Sequence, residues 1–76
     1  MTDYILQAVE RGPDGRLLFV CHDSPFVADE IESAVVTANA LFEVIPVLDR
    51  CNRIEILDTC GNRLWSRPID ASEHGF

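Results

Sequence analysis

Two runs rich in β-branched and aromatic residues, 3–10 (DYILQAVE) and 16–22 (RLLFVCH), flank the tetrapeptide GPDG; beyond them the apolar spacing changes to three and four residues. The first two runs read as strands and GPDG as the turn of a hairpin. Pro13 presets φ at the second turn position, Asp14 tolerates the third, and Gly15 can take the left-handed conformation. The changed spacing predicts a helix over residues 25–45. Ser24 is its expected N-cap and Pro25 its first helical residue, where a missing N–H costs nothing. Val27, Ile31, Ala34, Val35, Ala38, Phe42 and Ile45 then share one face, and Pro46 ends or kinks the helix.

A second hairpin is expected over 53–69. Asp58 suits the first position of a type I turn and Gly61 the left-handed position that closes it, so DTCG and GPDG solve one geometrical problem twice. Pro68 cannot donate to a ladder and marks its strand as a sheet edge. The order β-β-α-β-β predicts an α+β fold: a four-stranded, mainly antiparallel sheet with one helix packed on one face. Residues 1–69 form a single domain in this reading, and 70–76 a polar tail. Were the second and third strands parallel neighbours, the helix would be a right-handed crossover.

The terminal pattern RIEILDTCGNRLWSRPID resembles the ending of certain short alphaproteobacterial proteins of unknown function, which carry a segment of the type I-x-V-x-D-x-x-G-x-x-L-x-x-x-P. The matching positions are Ile54, Ile56, Asp58, Gly61, Leu64 and Pro68, over about the last quarter of the chain. The resemblance implies a fold and a bacterial origin, and brings no catalytic residue with it.

Seventy-six residues suit one small domain with a stability of roughly 4–11 kcal/mol. Hydrophobic content of 47% and charged content of 25% are those of a globular chain. Thirteen acidic residues against six arginines, with no lysine, leave a net charge of −7. Such a surface argues against nucleic-acid and anionic-membrane partners, because affinity for phosphates comes from basic side chains. No run approaches the ~18 apolar residues of a membrane span, and MTDYILQAVE does not look like a secretory signal. Three cysteines without metal-type spacing suggest free thiols in a cytoplasmic setting rather than a disulfide framework.

Cys21-His22-Asp23 is the first candidate for chemistry. Adjacent strand residues point to opposite faces, so Cys21 and His22 do not converge on one substrate while the strand continues. Cys51 and Cys60 are up to about 30 Å apart along the third strand and cannot share an ion. Because the second and third strands run the same way, Cys60 and Cys21 can lie at one end of the sheet with His22, which leaves a metal- or thiol-dependent site as the alternative. Asp29, Glu32, Asn39 and Glu43 fall on the outer side of the helix and read as a solvated face. No catalytic constellation, cofactor motif or Gly-rich phosphate loop is present.

Two apolar features exceed what a monomer requires. Val36, Ala40 and Val44 form a second stripe nearly opposite the core stripe of the helix. Every strand also carries apolar residues on both faces, and one helix covers only one. Leu57, Trp65 and Arg67, with Ile69, are expected on the uncovered face, opposite Ile54, Ile56 and Leu64. The function this predicts is non-enzymatic: self-association as a homodimer, or protein binding, on the exposed sheet face.

Overall fold

A computed structural model describes residues 1–44 and 51–70. Strands β1 (Thr2–Arg11) and β2 (Leu17–Ala28) are followed by helix α1 (Ile31–Phe42), then by β3 (Arg53–Leu57) and β4 (Arg63–Pro68). The sheet order is β2-β1-β3-β4, with every neighbouring pair antiparallel. β1 lies between β2 and β3, so α1 links no parallel neighbours. No helix among the described residues is long and apolar enough to cross a membrane. The expected end of the helix at Ile45 and Pro46, and the tail beyond Asp70, lie outside the described residues.

Both turns form as their residues dictate. Gly15 (φ 84°) donates its N–H to Gly12 O at 2.9 Å, and Gly61 (φ 89°) donates to Asp58 O at 3.1 Å. The Asp58 carboxylate accepts the N–H groups of Cys60 and Asn62 at 2.9 Å and the Asn62 amide at 3.0 Å. These bonds favour the charged form and lower its pKa, the Asn62 side-chain bond contributing most.

The helix is shorter than its sequence pattern suggests, because residues 23–28 continue β2. Pro25 pairs with Ile5 and Phe26 with Tyr4, whose rings stack at 5.7 Å between centroids. β2 is an edge strand, where proline's missing N–H is tolerated, and the aromatic pair favours strand over helix. Ser24 is therefore no cap. Glu30 holds the N-cap position with extended backbone and no side-chain cap bond.

The core lies between α1 and one face of the sheet. Tyr4, Leu6 and Ala8 alternate along β1, with Leu6 opposite Ile56 and Ala8 opposite Ile54 on β3. Ala34, Ala38 and Phe42 close over them, the two alanines allowing close approach. Val27 is half-exposed on β2 instead of lying on the helix, while Val36 and Val44 are exposed at 71% and 78%.

Trp65, Arg67 and Ile69 belong to this covered side, which corrects the expectation that put them on the open face. Trp65 pairs with Ile56 and Arg67 with Ile54. Trp65 packs against the core near Ile31 and Val35, and Ile69 is buried in it. The Arg67 guanidinium sits 5.6 Å from the centre of the Phe42 ring and donates to Asn39 Oδ1 at 3.0 Å. A register shift between Ile56 and Leu57 is the cause. A slip of one residue moves an entire row to the other face.

Candidate functional site

The other face of the sheet is covered by no element among the described residues. Ile5 sits opposite Leu57, Gln7 opposite Glu55, and Val9 opposite Arg53; Ser66 on β4 is opposite Glu55. Leu57 alone of the predicted trio Leu57, Trp65 and Arg67 stands here. The face divides into a charged half and an apolar half.

Glu55 organises the charged half. It is fully buried in the middle of the sheet, and a carboxylate there is tolerated only when paired. Arg11 pairs with it in a fork: Nε donates to Oε2 at 2.5 Å and Nη2 to Oε1 at 3.0 Å. Arg63 Nη1 adds a longer bond to Oε2 at 3.4 Å. Burial alone would push the Glu55 carboxyl up; the hydrogen bonds and charge of Arg11, helped by Arg63, outweigh it and hold the group below its ordinary value. The same Glu55 bond raises Arg11 further above its usual value. Arg11 is fixed at its other end too, donating Nη1 to Gly15 O at 2.9 Å. Asn52 clips the Arg11 backbone from the side, its Oδ1 accepting at 2.9 Å and its Nδ2 donating at 2.8 Å. Arg53 donates from Nη2 to Ser66 Oγ at 2.8 Å. Arg11, Arg53 and Arg63, with Gly12, Gly15 and Ser66, line an open cleft of about 610 Å³.

The apolar half lies along β2 and the far end of β1. Leu17, Leu18, Phe19 and Val20 are consecutive and 37–54% exposed; Leu17 and Val20, level with Arg11 and Val9, belong to this side, and Phe19, level with Glu10, to the other. Register shifts between Ala8 and Val9 and between Glu10 and Arg11 leave Cys21 and Leu18 as the extra residues of two bulges. Farther along, Ile5, Pro25 and Val27 on this side and the stacked Tyr4 and Phe26 on the other line a shallow concavity at the sheet edge, with Asp3 and Thr59.

The cysteines do not assemble as the sequence suggested. Cys21 is joined to Cys51 in a disulfide across 30 residues, where free thiols were expected. The bulge is the reason: it turns Cys21 toward the core cluster that contains Cys51. His22 faces the same side, opposite Ala8, with its Nε2 3.1 Å from Ser24 Oγ. The bulge thus overrides strict alternation between Cys21 and His22. Asp23 stands opposite Gln7 and is exposed.

Cys60 is free and exposed on the β3–β4 turn. That turn follows Leu57, which is level with Ile5 and hence with Pro25. From Cys21 to Pro25 is about 13 Å along the strand at ~3.3 Å per residue, so Cys21 and Cys60 lie at opposite ends. The expected grouping assumed that β2 stops at His22. No cluster of three or more His, Cys, Asp or Glu among the described residues could hold a metal ion.

The arginine–glutamate group was not singled out from the sequence, although a signal exists. In RIEIL the polar row Arg53, Glu55 and apolar Leu57 alternates with Ile54 and Ile56, which puts a carboxylate inside a strand. The partners Arg11 and Arg63 lie 44 and 8 residues away, and only strand pairing brings them in. Comparison with known proteins gives no match: no family model, curated protein or solved structure is significantly similar to this chain.

Proposed function

We propose that this protein is a small, non-enzymatic binding module that pairs with a second copy of itself through the apolar rim of β2 and the adjoining open sheet face. The observation that carries the reading is the run Leu17-Leu18-Phe19-Val20, four consecutive exposed apolar residues on an edge strand. Such runs are costly in water unless they serve contact. The two bulges interrupt a regular ladder here, so side-chain packing rather than an added strand forms the contact. A twofold axis lets the same rim meet itself. The molecule measures 33 × 26 Å across by 16 Å thick.

The experiment is sedimentation equilibrium of the wild type and of Leu18→Lys, with circular dichroism as the folding control. A dimer in the micromolar range for the wild type, and a folded monomer for the variant, support the proposal. A monomeric wild type up to millimolar concentration overturns it. Trp65→Glu, which the sequence alone would suggest as the test, strikes the core instead. The redox state of Cys21 and Cys51 in cells bears on compartment. A cytoplasmic protein, as we propose this one to be, would hold them as thiols, and an exported one as the disulfide.

A further inference from the structure

We propose that the cleft bordered by Arg11, Arg53 and Arg63 binds a small oxyanion, a carboxylate or phosphate group. Three of the chain's six arginines line this one concavity, in a protein whose net charge is −7. One carboxylate, Glu55, faces them, and both its oxygens are already engaged by Arg11 and Arg63. The group therefore carries a surplus of two positive charges. Asp14, in the adjoining turn, does not line the cleft; its Oδ1 accepts the Arg16 N–H at 3.0 Å.

Donors remain to receive a ligand. A guanidinium has five N–H groups. Among the described residues Arg53 uses one on Ser66, and Arg63 uses one in the long bond to Glu55. The Ser66 hydroxyl lies beside them as a further polar partner. Glu55, fully buried, acts as a positioning residue: it holds Arg11 in a two-point fork and so fixes one wall of the cleft before any ligand arrives. Planar guanidinium groups match the paired oxygens of carboxylates and phosphates. The cleft volume also falls in the usual range for small-ligand sites.

The test is titration of the wild type, Arg53→Gln and Arg63→Gln with inorganic phosphate and separately with malonate. Binding is followed by amide and arginine side-chain NMR shifts at ionic strength held constant with sodium chloride. Saturable shifts at Gly12, Gly15 and Ser66, weakened at least tenfold in either variant while the remaining spectrum is retained, are the expected result. Stronger binding of phosphate assigns a phosphate ligand, and stronger binding of malonate a carboxylate. Shifts that fail to saturate, or that are equal in the wild type and both variants, overturn the proposal. Repeating the titration on Leu18→Lys, the variant expected to be monomeric, tests the cleft separately from self-association.

Discussion

Glu55 shows how one residue ties stability to pH. Its carboxyl has a lower pKa folded than the ordinary 4.5, because Arg11 and Arg63 outweigh the cost of burial. A depressed folded value means that its contribution is fully present above the unfolded value and is lost as pH falls through the folded one. Glu55→Gln leaves Arg11 without its charged partner and should cost about 3 kcal/mol near neutral pH. Urea unfolding of both proteins across acidic pH checks this. The gap between them should narrow below about pH 4.5. A gap that is constant with pH would mean the carboxylate is not ionised in its pair. Asp58 also has a lowered value, but the comparison cancels it because both proteins retain that turn.

At the scale of elements, β2 and β4 are the two edge strands, each with one neighbour among the described strands. The Cys21–Cys51 disulfide ties a bulge of β2 to the residues just before β3. Closing a loop of 30 residues removes chain entropy worth about 3–4 kcal/mol. That is a large share of the total for so short a chain. Cys21→Ser, or reduction of the wild type, should lower the denaturant midpoint by the corresponding amount; a variant as stable as the oxidised wild type would refute it. α1 depends on β4 in a similar way. Trp65 packs against the core near Ile31 and Val35, while Arg67 joins Phe42 and Asn39. Trp65→Ala should therefore destabilise the fold by about 3 kcal/mol, read as a fall in melting temperature, without direct loss of an association contact.

The whole molecule is a two-layer object with one side closed by α1 and the other open among the described residues. Its two proposed contacts respond oppositely to salt. Two chains of charge −7 repel one another, and the Debye length is about 10 Å at 0.1 M salt. Association through an apolar rim should strengthen as sodium chloride screens that repulsion. Oxyanion binding between arginines should weaken over the same range. Sedimentation and NMR titration at low and at about 0.5 M salt separate the two. Association that weakens with salt would point to a contact made by charges instead of Leu17–Val20.

The chemical identity of residues along the chain determined the element order, both glycine turns and the face of α1 that is buried. These depend on neighbours a few residues apart: Gly15 and Gly61 supply positive φ, and Ala34, Ala38 and Phe42 recur at helical spacing. The packing of one helix on one face of the sheet was legible for the same reason. Tertiary structure decided the rest. Whether residues 23–28 extend a strand or start a helix depended on Tyr4 and Ile5 as pairing partners, which local propensity does not contain. The sides taken by Trp65 and Arg67 depended on a one-residue shift at Ile56 and Leu57, and the direction of Cys21 on a bulge. Glu55 met Arg11 only because β1 and β3 lie side by side, bringing together residues 44 apart in the chain.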